Sequence, residues 1–277
     1  MRRGDLHCHS LYSDGTSTPK ELVDLAIQAE LSALSITDHD TVSAFDDVYS
    51  YAASNNIWLI PGVEISSEYL GESVHVLGYS FRENSLDEFC SLHRKRRLER
   101  NKGILENLRK REMYVSDEEV KAFSPLAITY GRPHIARVLV EKGYVENIAE
   151  AFRKYLGDGK PCYEKGQRWS VEESIEAIHK AAGKAVLAHP HLIKKGSLVR
   201  SLLEFDFDGI EAYYSSMPLA ENRRWVEIAK QHNLFITGGS DFHGTVKPHA
   251  IFGSSWAPEE TVDLLYNHSK SHSRGSE

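Results

Sequence analysis

The 277-residue chain predicts an α/β fold, a barrel of parallel strands wrapped by helices and interrupted by a helical insertion. Apolar runs of strand length alternate with amphipathic helical stretches, which implies parallel strands joined by right-handed crossovers. Seven or so such units recur, enough to close a barrel whose site lies at the C-terminal ends of its strands. Most of those ends carry a His, Asp or Glu.

The first run, Gly4-Asp5-Leu6-His7-Cys8-His9, is a strand on which His7 and His9 share one face and Cys8 takes the other. Two imidazoles placed this way can close on a single metal ion. A polar loop with Ser13-Asp14-Gly15 leads to a helix start: Thr18 as N-cap, Pro19 at the first helical position and Glu21 completing a capping box. Leu22, Leu25, Ala26 and Ala29 then keep helical spacing. Residues 33–37 form the second strand, ending in Asp38-His39-Asp40, and a helix follows over 42–55. The third strand, 58–63, ends at Glu64, and the fourth, 73–79, carries His75.

From about residue 81 to 166 the alternation stops, and helices are expected at 86–111, 115–123, 132–142 and 148–155. This divides the chain into a metal-binding barrel (1–82 and 166–268), a helical insertion (83–165) and a disordered polar tail (269–277). Alternation resumes with a helix at 171–182 and a strand at 184–188 before His189. A helix near 198–204, a strand at 209–212 containing Glu211 and a helix at 218–232 come next. Strand 235–239 runs into Ser240-Asp241-Phe242-His243, and the last helix spans 258–267.

Nine candidate ligands emerge: His7, His9, Asp14, His39, Glu64, His75, His189, Asp241 and His243. One zinc-like ion takes about four ligands, so the set implies two or three divalent ions sharing a carboxylate, for which Glu64 is the choice. Mixed imidazole and carboxylate ligation suits zinc, manganese or iron. Such a pair of ions makes hydroxide available near neutral pH and holds phosphoryl oxygens. The remaining histidines read differently. His93, His179, His232, His268 and His272 are expected at the surface, with His191 and His249 as supports near the cluster. Arg94-Lys95-Arg96-Arg97 reads as the solvated face of a helix, with the capacity to steer an RNA end if it borders the mouth.

A net charge of −7 without a long Lys/Arg block excludes tight, sequence-blind binding to duplex DNA. Cys8, Cys90 and Cys162 are odd in number and far apart, which excludes a disulfide framework. With no apolar leader and no run of membrane-spanning length, a soluble cytoplasmic protein is expected.

The motifs Asp5-Leu6-His7-Cys8-His9-Ser10, Ser13-Asp14-Gly15, Ile36-Thr37-Asp38-His39-Asp40, Gly62-Val63-Glu64, Ala188-His189-Pro190 and Gly239-Ser240-Asp241-Phe242-His243 resemble those of the polymerase and histidinol phosphatase (PHP) superfamily. The resemblance implies a distorted (β/α)7 TIM-like barrel, the PHP fold, with three metal ions. It would place the first ion on His7, His9, Glu64 and Asp241, the second on Glu64, His75 and His189, and the third on Asp14, His39 and His243. Some members have a histidine at the position of Asp14, so the identity of the third ion stays open here. Gly131-Arg132-Pro133-His134-Ile135-Ala136 in the insertion resembles the stand-alone phosphoesterases that act on nucleotides. That branch removes the 3′-phosphate of nucleoside 3′,5′-bisphosphates, and some members trim short oligoribonucleotides from the 5′ end. The implied partner is a small phosphorylated nucleotide or a short RNA 5′ end. Arg132 would grip phosphate with its planar fork, and His134 would bind phosphate or protonate the leaving oxygen. The rivals are a histidinol-phosphate phosphatase, a hydrolase of carbon–nitrogen bonds, for which no bridging lysine is placed, and a non-catalytic metal- and nucleotide-binding module.

Overall fold

The computed structural model describes residues 1–273 apart from 83, 124, 129 and 194. Strands β1 (Gly4–Cys8), β2 (Ala33–Ile36) and β3 (Trp58–Leu59) pair in parallel in that order. A second sheet has the order β6-β4-β5-β7-β8-β9, made of β4 (Gly62–Tyr69), β5 (Glu72–Tyr79), β6 (Trp169–Ser170), β7 (Lys184–Leu187), β8 (Gly209–Tyr214) and β9 (Phe235–Gly239). Two isolated parallel bridges, Cys8 with Phe242 and His39 with Glu64, join the sheets at both seams. The result is the distorted TIM-like barrel of the PHP fold.

Helices cover the outside. α1 (Pro19–Gln28) begins with the expected capping box of Thr18 and Glu21, and with α2 (Ala44–Ser54) it packs on the outer face of β1 and β2 through Leu22, Ala26, Val48 and Ala52. Cys8 belongs to this outer layer, which leaves His7 and His9 pointing inward. Four further helices, α3 (Asp87–Arg109), α4 (Asp117–Ala122), α5 (Arg132–Glu141) and α6 (Ile148–Ala151), form the insertion. Ile104, Leu108, Val120, Ile135, Leu139 and Leu156 give it a hydrophobic core separate from those of the barrel. α7 (Val171–Lys180), α8 (Gly196–Leu202) and α9 (Leu219–Gln231) cover β4, β5, β7 and β8, and α10 (Glu259–Ser273) supports the base.

The all-parallel expectation is corrected at one place. β4 runs on to Tyr69 and turns through Leu70 (φ 47°) and Gly71 (φ 83°) directly into β5, with which it is antiparallel. A parallel crossover needs a dozen or more residues, and this link has two. β5 is therefore reversed, and it pairs antiparallel with β7 as well. Reversal brings the first half of β5, with His75, to the mouth where the other strands end. That is why a ligand candidate lies early in its strand rather than after it.

Two smaller expectations also change. The helix expected over 148–155 is α-helical only to Ala151 and continues as a π-turn, Phe152–Leu156. α10 runs to Ser273, into the stretch expected as the tail, and residues 274–277 lie outside the described residues.

Candidate metal centre

Two buried aspartates set the strand ends before any ligand is placed. Asp5 accepts N–H bonds from His7 (3.3 Å), Ser240 (2.9 Å) and Gly253 (3.0 Å), tying β1 to the end of β9. Burial pushes its carboxyl up to about 6, although those bonds oppose the shift. Gly239 permits the approach, because a Cβ there would lie 2.4 Å from His7 N. Asp38 accepts from Ser10 N (2.8 Å) and from the hydroxyls of Ser10 and Ser13 (both 2.5 Å), which fixes the loop carrying Asp14. Asp40 (φ 55°), His189 (φ 25°) and Asp241 (φ 51°), each just past a strand, hold left-handed backbone.

These devices bring all nine sequence-identified residues into one buried cluster. Asp241 Oδ1 lies 3.5 Å from His7 Nε2, 3.4 Å from His9 Nε2 and 3.4 Å from His243 Nδ1. Glu64 Oε2 lies 3.4 Å from His7 Nε2, 3.2 Å from His9 Nε2 and 3.2 Å from His39 Nδ1. The other oxygen of Glu64 faces His75 Nδ1 (2.7 Å) and His189 Nε2 (3.0 Å). Asp14 reaches His243 Nε2 at 3.3 Å, His9 Nδ1 at 3.7 Å and His39 Nε2 at 3.9 Å. Glu64 is thus the residue through which most of the set meets.

The donor atoms fit divalent metal. Two ligands bound at about 2.0–2.1 Å to a tetrahedral ion lie about 3.3 Å apart. That is the spacing of the His7, His9, Glu64 and Asp241 atoms. The buried Nε2 atoms of His7 and His9 and the buried Nδ1 of His39 have no hydrogen-bond partner, so their lone pairs remain to be used. Four groupings of donor atoms lie within coordination reach: His9, Asp14, His39 and His243; His7, Glu64 and His189; His7, His9 and Asp241; His39, Glu64 and His75.

Charge points the same way. Against the cost of burial, His39, His75 and His7 hold the Glu64 carboxyl well below the carboxylate range, and His243 and His39 do so for Asp14. Burial disfavours charge on His9 too, yet Asp241 and Glu64 push it up to about 10. Burial wins at His39, which falls to about 3. The carboxylates demand positive charge at this spot, and divalent ions supply it while using the imidazole lone pairs.

Glu211, which the sequence reading placed only within a strand, is a further participant. It is fully buried, accepts from His7 Nδ1–H (2.8 Å) and His189 N–H (2.8 Å), and so leaves His7 Nε2 unprotonated for a metal. Asp241 has its outer oxygen taken by the Tyr214 hydroxyl (2.6 Å) and by Lys247 Nζ. His191 packs edge-on against Tyr214 at 4.5 Å.

On the other side of the cluster, Asp14, His39 and His75 share a cavity of about 140 Å³ with Arg96, Arg97, Arg100, Arg132, Lys165 and Arg168. Here two expectations are corrected. His93 is buried, 3.6 Å from Asp40, and the basic run is not a solvated face. Arg94 donates to the Asp40 carbonyl (3.0 Å), and Arg97 donates to Asp40 Oδ2 and Ser66 Oγ, both at 2.5 Å. Positions 93, 96, 97 and 100 share one face of α3, and the signal was their three-to-four-residue spacing. Burial and the neighbouring Arg97, Arg132 and Arg168 lower the pKa of Arg100 well below its usual value. Among the described residues Arg100 and Arg168 have no carboxylate partner.

Arg132 lines this cavity, with Nη1 donating to Asp158 Oδ1 (2.6 Å) and to the Leu156 carbonyl (3.2 Å). His134 sits behind the wall. Its Nδ1 accepts from Gly131 N–H at 3.1 Å, capping α5, so the neutral ring carries its proton on the buried, unpartnered Nε2. Burial pushes His134 down to about 4, with Asp14 pulling the other way.

Known proteins complete the picture. The PHP domain matches residues 5–186. The chain is 34% identical over 249 residues to the 5′-3′ exoribonuclease Rnm of Escherichia coli, covering 86% of this chain and 84% of that one. It is 33% identical over 250 residues to the 3′,5′-nucleoside bisphosphate phosphatase of Chromobacterium violaceum, covering 88% of each. A metal-dependent phosphoesterase structure from Bifidobacterium adolescentis superposes with a TM-score of 0.86 at 29% identity, covering 96% of both chains. No helix among the described residues is long and apolar enough to cross a membrane. With this match, and with its motifs gathered at one barrel mouth, the chain belongs to the PHP family and is a metal-dependent phosphoesterase.

Proposed function

We propose that the substrate is a nucleoside 3′,5′-bisphosphate, from which the protein releases the 3′-phosphate, and that a short RNA with a 5′-phosphate can occupy the same site. One observation carries this reading: a cavity that begins at Asp14, His39 and His75 and is walled by five arginines, of which Arg97 and Arg132 are paired with Asp40 and Asp158 while Arg96, Arg100 and Arg168 have no carboxylate partner among the described residues. Such a site suits a molecule with two anionic groups a few bonds apart. A monophosphate ester such as histidinol phosphate would leave one end unmatched. The activities of the Escherichia coli and Chromobacterium violaceum relatives, as their names give them, support the same class.

In this reading the nine ligands would hold two or three divalent ions, which would supply a nucleophile at neutral pH and offset phosphoryl charge. The protein's own residues do the rest. Asp158 and the Leu156 carbonyl occupy Nη1 of Arg132, which orients the Nε–Nη2 edge for two phosphate oxygens. Arg100 and Arg168 add positive charge in a cavity with little water to screen it. His134 lies outside the cavity lining and, with a pKa near 4, is neutral at pH 7, so of the two roles expected for it proton donation fits less well.

The test is release of inorganic phosphate from adenosine 3′,5′-bisphosphate by manganese-loaded protein, beside a chelated control and a sample given histidinol phosphate. Release from the nucleotide alone, lost on chelation, is expected. Turnover of histidinol phosphate in its place would overturn the reading.

A further inference from the structure

α3 presents Phe89, His93, Arg96, Arg97 and Arg100 toward the barrel, a spacing that keeps them on neighbouring helical turns. Trp169, on β6 beside β4, meets this face. Phe89 stacks on the indole with ring centroids 4.3 Å apart and planes 14° apart, and the Arg96 guanidinium carbon lies 3.9 Å from the indole centroid. Phe89 and Arg96 lie two turns apart on α3, about 10.5 Å along its axis, and both reach the indole. Arg96 lines the cavity and Trp169 does not. The run of contacts Phe89–Trp169–Arg96 therefore ends at the cavity wall.

From this we infer that Arg96 is a stacking platform for the nucleobase of the substrate. A guanidinium backed by an aromatic ring is flat, delocalised and weakly hydrated, and it accepts a base on its free face through dispersion and cation–π attraction. The Phe89–Trp169 pair backs the guanidinium and lowers the entropy lost when a base settles on it. Stacking reads a π-face rather than a hydrogen-bond pattern, so the platform tolerates any base. The inference rests on the nucleotide reading above and adds the part of the molecule that neither the metal ligands nor the phosphate-facing arginines explain.

The experiment compares adenosine 3′,5′-bisphosphate with ribose 3,5-bisphosphate, which has both phosphates and no base, on wild-type and Arg96→Ala protein. Wild-type kcat/KM should favour the nucleotide by about tenfold or more, the scale of one stacked base. Arg96→Ala should remove that preference by slowing the nucleotide about tenfold more than the ribose compound. Equal efficiency on both substrates in the wild type, or an equal loss on both in the variant, would overturn the platform while leaving the phosphatase reading in place. A second readout does not need turnover. Adenosine 5′-monophosphate should quench tryptophan emission in wild-type protein and fail to do so in Trp169→Phe; undiminished quenching in that variant counts against the stack. If neither bisphosphate is hydrolysed, the phosphatase reading falls, and the quenching result still decides the platform.

Discussion

Replacing Glu211 by Gln should weaken metal binding without touching a ligand. The wild-type carboxylate uses one oxygen for His7 Nδ1–H and the other for His189 N–H, each at 2.8 Å, in a place with no solvent exposure. A glutamine amide has one oxygen, so it can keep one of these bonds. At the other it presents an N–H toward an N–H. The loss is one hydrogen bond to a charged acceptor, about 1.5–3 kcal/mol, together with the polarisation of His7 that strengthens its donation. At about 1.4 kcal/mol per tenfold, metal affinity should fall by about 10- to 100-fold. The assay is competition for zinc or manganese between metal-stripped protein and a chromophoric chelator, with thermal melting of the stripped protein as a control for folding. Wild-type affinity in a folded Glu211→Gln protein would refute the argument, because His7 would then need no orienting partner.

Other expectations follow from the same geometry. Glu64→Ala should abolish turnover and lower bound metal measured by elemental analysis, since five imidazole nitrogens lie within 3.4 Å of its two oxygens. Arg132→Ala should leave metal content intact and raise KM for a bisphosphate by about tenfold or more, the cost of one charge-assisted contact, as read from initial rates. Asp208 is held below the usual carboxylate range, against the cost of partial burial, by bonds from Lys184 Nζ (2.7 Å), Ala185 N (2.9 Å) and His179 Nε2 (2.8 Å). Its contribution to stability is therefore full above the unfolded carboxyl value of about 3.9 and is lost as pH falls through the depressed native one. Asp208→Asn should be less stable than wild type at pH 7, and the gap in denaturant midpoint should close as the pH is lowered through the native value.

The cluster itself was legible because its chemistry is concentrated in short motifs. His7-Cys8-His9, Asp38-His39-Asp40 and Asp241-Phe242-His243 each place scarce residue types at strand ends, and the structure brings them together. His75 was legible as a residue but not as a position, since its place at the mouth depends on the reversal of β5. That reversal turned on whether residues 64–69 continue a strand, which a mixed run such as Glu64-Ile65-Ser66-Ser67-Glu68-Tyr69 does not declare by periodicity alone. The cavity wall was less visible still. Arg97, Arg100 and Arg168 come from both ends of the insertion and converge only through its tertiary packing, and a charged helix face looks the same in sequence whether it borders water or phosphate. Glu211 had one clue, a carboxylate inside an apolar strand, which is a costly placement unless something needs it.

The left-handed backbone at Asp40, His189 and Asp241 bears on how this protein could change over time. Each of these non-glycine residues holds a conformation that costs of order 1–3 kcal/mol, and glycine would relieve it. Yet two are candidate ligands, and the carboxylate of the third pins Arg97 beside the cavity, so the relieving substitution removes the group that the conformation serves. Selection for thermostability is thereby closed off at these three positions and must act elsewhere, on the outer helices and the separate core of the insertion. The barrel mouth keeps its strain as long as it keeps its chemistry.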